Sequence, residues 1–252
     1  MSDYALYMDD GGHPDDKPYV TVGGYLGSED QWLSFEPKWK HKVAYFGIDY
    51  PFHMTDFMRM PLTDLKRDWI LGTLNSIVKG HTSGKFGAAI KMDSYRKVNE
   101  VYPLQEMIGA PLAINAREIA RQVNQWKREN FKDGDRLLVF MERGSKHFGD
   151  VLKVFKRDRL PTPIPVDKEL AAVQPSDILA WEMLRYFRTG ILSKNAKRIG
   201  QVKRQNFGGL FEEKQLIEIC QNAKVPLRSR ISPSAKIEFH SEPKQPRHRT
   251  IK

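Results

Sequence analysis

Three stretches of the chain set a carboxylate where an apolar run ends or a helix begins. The first is Leu6-Tyr7-Met8-Asp9-Asp10-Gly11-Gly12, which stops on two adjacent acids and turns away at glycines. The second is Leu137-Leu138-Val139-Phe140-Met141-Glu142, apolar almost without a break up to its acid. The third is Gln174-Pro175-Ser176-Asp177-Ile178-Leu179-Ala180-Trp181, with Asp177 in the first turn of a helix. A carboxylate in or beside a buried element is costly unless it is paired, protonated or metal-bound. If Asp9, Glu142 and Asp177 meet, they form an oxygen-rich pocket suited to Mg²⁺ or Mn²⁺. Two such ions can activate a water and stabilise the leaving oxygen in phosphodiester hydrolysis. A shared cation requires carboxylates no more than about 10 Å apart, given bonds of about 2.1 Å to Mg²⁺.

The same acids have plainer readings. Asp9-Asp10-Gly11-Gly12 is also a turn signal. Asp177 also suits the positive end of a helix, and Glu142 can pair with Arg143 or a lysine. Successive strand residues point to opposite faces, so Asp9 and Asp10 do not both reach one ion unless the strand has ended. Asp9 is the favoured ligand, and Asp10 either supports it or takes its place. His53, in Phe52-His53-Met54-Thr55-Asp56, is a packed histidine or a proton shuttle near the acids, with Asp56 placed to orient it. His13 follows the acidic turn more distantly. Glu182, five residues after Asp177, points elsewhere on a regular helix.

These acids need elements to carry them. Tyr4–Asp9 and Tyr19–Leu26 read as strands joined in an antiparallel hairpin. Ser28-Glu29-Asp30-Gln31 has the capping-box pattern and opens a helix with Trp32, Phe35, Trp39 and Val43 in phase. Phe52–Phe57 reads as a short strand. A helix from Pro61 to Gly80 presents Leu65, Trp69, Ile70, Leu74, Ile77 and Val78. Lys85–Met92 is a strand, Ser94–Val101 a short helix, and Pro103–Asn130 a longer one. Arg136–Glu142 is a strand with both faces covered. Helices follow at Phe148–Lys156, Pro175–Leu192 and Phe211–Ala223, and Pro161–Val166 is at most an edge strand. The pattern is mixed α/β with parallel and antiparallel pairing. Three acids on two strands and a helix converge if the strands are central and parallel and the helix packs across their ends.

Composition narrows the chemistry. No apolar run reaches the roughly 20 residues of a membrane span, and no basic-then-apolar leader opens the chain. One cysteine, Cys220, excludes an internal disulfide and any site built on several cysteines, and favours a cytoplasmic setting. The phosphate-loop, HExxH and GxSxG patterns are absent. Net charge is +10, unevenly spread: residues 191–252 hold 14 Lys and Arg against 5 Asp and Glu, leaving the rest nearly neutral. A basic block of this kind attracts a phosphate backbone without reading sequence, or is a solvated, solubilising tail.

Taken together, LYMDDGG followed by YVTVGGYLG resembles the opening of the DUF 3800 family, where a strand leads into Asp-Glu-Ser-Gly. FHMTDF resembles that family's His-containing strand, LLVFMERGS its acid-ended buried strand, and VQPSDILAWEMLRYF its late helix with a Gln-x-x-Asp-x-x-Ala pattern, here Gln174, Asp177 and Ala180. Asp10 and Gly11 depart from the usual Glu and Ser. The resemblance implies an RNase H-like mixed sheet flanked by helices, with Asp9, Glu142 and Asp177 at a metal site and His53 beside them. It gives an expected domain over 1–192, a basic helical extension over 193–239 and a disordered basic tail over 240–252. The expected function is metal-dependent nucleic-acid hydrolysis; the alternative is a catalytically silent nucleic-acid-binding or interaction protein that keeps the fold.

Overall fold

The first strand, β1 (Asp3–Gly11), lies at the centre of the sheet that everything else serves. The computed structural model describes residues 3–12, 18–130, 132, 135–145, 147–200 and 205–230. β1 pairs antiparallel with β2 (Tyr19–Ser28), as the hairpin pattern predicts. Ser28 caps α1 (Glu29–Tyr45): Gln31 N–H donates to Ser28 Oγ at 3.3 Å, and Ser28 N–H donates to Gln31 Oε1 at 2.8 Å. α2 (Met54–Arg59) and α3 (Asp64–Gly80) follow, then β3 (Gly84–Lys91), which pairs antiparallel with β2. α4 (Met92–Val101), α5 (Leu104–Met107) and α6 (Pro111–Asn130) lead to β4 (Arg136–Glu142), which pairs parallel with β1. α7 (Phe148–Arg157) precedes β5 (Ile164–Val166), a short edge strand parallel to β4. α8 (Gln174–Thr189), α9 (Lys194–Gly200), β6 (Gln205–Phe211) and α10 (Glu213–Asn222) follow. The six strands run in the order β5-β4-β1-β2-β3-β6.

Side-chain alternation sorts the core into layers. Ala5 and Tyr7 of β1 face one layer with Tyr25, α1, α3 and α8, while Leu6 and Met8 face the other with Val22, Leu26, α6 and α7. The indole rings of Trp32 and Trp39 are buried on the first side, and Trp126 on the second. Cys220 is fully buried among α4 and α10, and burial pushes its thiol up to about 11, so it is a core residue.

Five expectations need correction. The helix expected over Pro103–Asn130 is two, α5 and α6, interrupted at Gly109, whose φ of +138° no helix accommodates. β4 is not covered on both faces, since Leu138 is exposed. Phe52–Phe57 is not a strand. His53 is the N-cap of α2, whose first amide, Met54 N–H, donates to Asp177 Oδ2 at 2.8 Å. A first-turn donor with a carboxylate in reach favours a helix start over an extended chain. Leu65 and Trp69 are exposed rather than on the apolar face of α3; Trp69 packs edge-on against Phe46 instead. The extension expected over 193–239 is neither wholly helical nor separate in its described part. β6 pairs parallel with β3 and extends the sheet, and Ser193 and Asn195 hydrogen-bond the buried Glu182 of α8 at 2.7 and 2.8 Å. Residues 231–252, with the expected tail, lie outside the described residues, as does His13. Among the described residues no helix is long and apolar enough to cross a membrane.

Candidate active site

The positions of the acids follow from strand register. Tyr7 is level with Phe140 and Met8 with Met141 across the parallel β1–β4 pair. The Tyr7 and Phe140 rings stack at 4.7 Å on the face that carries α8. One step of alternation further brings Asp9 and Glu142 to that same face at the strand ends. α8 crosses this face, and its seat is specific. Ser176 Oγ donates to Tyr7 O at 2.9 Å, and Thr21 Oγ1 donates to Ala180 O at 2.9 Å. A Cβ on Gly23 would lie 2.8 Å from Ala180 N, so the backbones approach this closely only because residue 23 has no side chain. Asp177, in the first turn of α8, thereby arrives beside Asp9.

Asp9, Asp10, Glu142, Asp177 and His53 all line one cleft of about 920 Å³. Another large cavity, about 870 Å³ along α6, gathers mixed arginines and acids such as Arg117 and Asp158, which already pair. In the acid cleft the separate groups are held by distinct contacts. Asp9 Oδ1 accepts from Asp10 N–H at 2.8 Å. Asp10 Oδ1 accepts from Ser145 Oγ just beyond the last β1–β4 pair, Met8 with Met141, and Asp10 also lines the cleft. The Gly144 backbone wraps the Glu142 carboxylate, to which its amide donates; a Cβ at residue 144 would sit 2.9 Å from Glu142 Oε2. Asp177 Oδ2 caps α2 through Met54 N–H. His53 Nε2 is 3.9 Å from Asp177 Oδ2, and its Nδ1 is 3.7 Å from Asp56 Oδ2. Nδ1 is buried without a hydrogen-bond partner.

One residue at the centre of the cleft was not expected. Lys168, between β5 and α8, sends Nζ to 2.6 Å from Asp9 Oδ2 and 3.3 Å from Asp177 Oδ2. Those two oxygens are therefore separated by at most the sum of the two distances, about 6 Å, inside the limit for a shared cation. The lysine is anchored through its backbone. Gln174 Nε2 donates to Lys168 O at 2.8 Å, while Gln174 Oε1 accepts from Trp39 Nε1 at 2.7 Å and Phe52 N–H at 3.2 Å. No local sequence pattern singles out Lys168 in Val166-Asp167-Lys168-Glu169. Gln174 belongs to the Gln-x-x-Asp-x-x-Ala pattern, but its role in anchoring Lys168 is visible only in the structure.

Electrostatics follow from this crowding. Burial pushes the Asp9 carboxyl well above the ordinary range; Lys168 opposes the shift, and Asp177 and Asp10 add to it. Burial likewise raises Asp10 and Glu142. Burial works against the charge of Lys168, yet Asp9 and Asp177 hold its ammonium above the usual lysine value. Four acids thus share one lysine, and the cluster is short of positive charge. Among the described residues no group of three or more His, Cys, Asp and Glu side chains is placed to hold a metal ion, and the Lys168 ammonium stands between Asp9 and Asp177. The donor set is nonetheless all oxygen, anionic in excess and open to the cleft, which fits a hard divalent cation. Comparison with family models and with curated proteins finds no match to this chain.

Proposed function

We propose that this chain is a divalent-metal-dependent phosphodiester hydrolase acting on nucleic acid, with an RNase H-like fold and kinship to the DUF 3800 family. The observation that carries the reading is the meeting of Asp9, Glu142 and Asp177, from two parallel strands and one helix, in a cleft with too little positive charge for them. The strand order, with β1 central between an antiparallel and a parallel neighbour, supports the fold assignment. Asp9, Glu142 and Asp177 would hold Mg²⁺ or Mn²⁺, with Asp10 supporting them. The ions would supply water activation and charge for the leaving oxygen.

The chain's own groups do the rest. Gly144 N–H and Ser145 Oγ orient Glu142 and Asp10. Met54 N–H orients Asp177. His53 stands on the cleft wall with its ring nitrogens beyond hydrogen-bond distance of Asp56 and Asp177, so it can carry a proton between water and a leaving oxygen. Lys168 neutralises Asp9 and Asp177 when they hold no ion.

A second reading rests on that lysine. If the Lys168 pairing is permanent, the cluster is a structural ion network and the protein binds nucleic acid without cutting it. Incubating single-stranded, duplex and hybrid substrates with Mg²⁺ or Mn²⁺ separates the two. The first reading predicts metal-dependent cleavage that Asp9→Asn and Asp177→Asn abolish. Cleavage by those variants equal to the parent's would remove it.

A further inference from the structure

The acid cleft continues past Asp177 along α8. Trp181, Leu184 and Arg188 follow Asp177 at four-, seven- and eleven-residue spacing, which is one helix face. All three line the acid cleft with Asp177. A further cavity of about 180 Å³ shares these three residues and adds Arg185 and Thr189. Trp181 is half-buried and packs against the core, so its ring is held in place while part of it stays open to the cleft. The Arg185 guanidinium lies 5.6 Å from the Trp181 ring centre. Arg185 and Arg188 are exposed, and among the described residues neither pairs with a carboxylate. Asp49 and Asp56 also line the cleft, Asp56 paired with Arg59 at 3.4 Å, while the exposed cations Arg185 and Arg188 on α8 attract a phosphate chain.

We propose that this face of α8 is the binding path of a single-stranded nucleic acid, with a base stacked on Trp181 and the adjoining phosphates on Arg188 and Arg185. An aromatic ring between cations is the arrangement that binds unpaired strands, because every base offers a face to stack. Bases of an intact duplex are already stacked on one another and cannot use the ring. From Asp177 to Arg188 the face spans about 16 Å of helix, enough for a short strand segment. The inference rests on the hydrolase reading for what happens at the acids, but its own content is binding, and binding is measured without metal.

The test is fluorescence anisotropy of a labelled oligothymidylate and of a duplex of equal length, with the full chain in EDTA at several salt concentrations. The single strand is expected to bind more tightly than the duplex. Trp181→Ala is expected to weaken single-strand binding about ten-fold or more, and Trp181→Phe to restore most of it. Arg188→Ala is expected to weaken binding and lower the salt slope by about 0.7, the value for one phosphate contact on a single strand. Thermal melts identify any variant that fails to fold; Trp181→Phe and Arg188→Ala then still decide the matter. Unchanged affinity and salt slope in Trp181→Ala and Arg188→Ala overturn the proposal, as does tighter binding of the duplex or no binding by the parent at low salt. Normal binding with no metal-dependent cleavage would instead sink the hydrolase reading and leave this path standing.

Discussion

At the scale of single residues, the acids were legible and the cation was not. Asp9 and Glu142 each end an apolar run, and Asp177 opens an apolar helix; a costly charge in such a place is a local signal. Lys168 is a lysine in a polar loop, and only the tertiary structure brings it to Asp9 and Asp177. Strand alternation separates Asp9, buried and facing α8, from Asp10, yet both line the same cleft, where Asp10 accepts from Ser145. Lys168→Met leaves two nearly buried carboxylates without their partner. Removing one side of a buried pair costs about 3 kcal/mol or more. A loss of that size is expected in urea unfolding with EDTA present. Mn²⁺ should recover much of it by supplying the missing charge. An equal loss with and without Mn²⁺ would show that the ion and the lysine do not compete for the same acids.

At the scale of elements, the hairpin and helix α8 were readable from their hydrophobic patterns, and β4 from its nearly unbroken apolar run. α2 was misread as a strand: six residues are too few to show a period, and the carboxylate that caps it lies 123 residues away. β6 was missed because Gln205-Asn206-Phe207-Gly208-Gly209 has no alternation; pairing with β3 makes it a strand. Two predictions belong here. Gly23→Ala puts a Cβ 2.8 Å from Ala180 N and 2.9 Å from Leu179 Cγ, so α8 must move off the sheet. A stability loss of about 1–3 kcal/mol is expected, together with a loss of cleavage, because Asp177 moves with the helix. The second concerns β3. Lys85 is buried and its Nζ meets Ile199 O; burial lowers its ammonium to about 8 from 10.5. The folded state then gives up this proton before the unfolded state does. The lysine's contribution to stability therefore rises as pH goes from about 8 to about 10.5. Lys85→Met should remove that rise, read as the difference between parent and variant denaturation midpoints at pH 7.5 and pH 10.

At the scale of the whole molecule, the mixed α/β class was evident from the order of elements. The proposed boundary at residue 192 did not anticipate β6, because charge composition changes there and chain packing does not. Arg228 bonds Asn99 O at 2.8 Å and Glu106 Oε1 at 2.8 Å, and Val225 is buried, so the body extends to at least this point. A chain cut after residue 230 keeps these contacts and loses 5 Lys and Arg against 2 Glu. Its melting temperature is expected to stay within about 2 °C of the parent's, as ordinary surface changes do. Its nucleic-acid affinity should fall, with a shallower salt dependence. Unchanged affinity at every salt concentration would leave the basic end with no part in binding.

The central claim is that Asp9, Glu142 and Asp177 form a divalent-metal site from which Lys168 is displaced. Titration of Mn²⁺ followed by electron paramagnetic resonance tests it without needing a substrate. The parent is expected to remove free Mn²⁺ from solution at a defined stoichiometry, Lys168→Met to bind it more tightly, and Asp9→Asn and Asp177→Asn to lose most of that binding. Mn²⁺ uptake by the parent no greater than that of Asp9→Asn and Asp177→Asn would contradict the account.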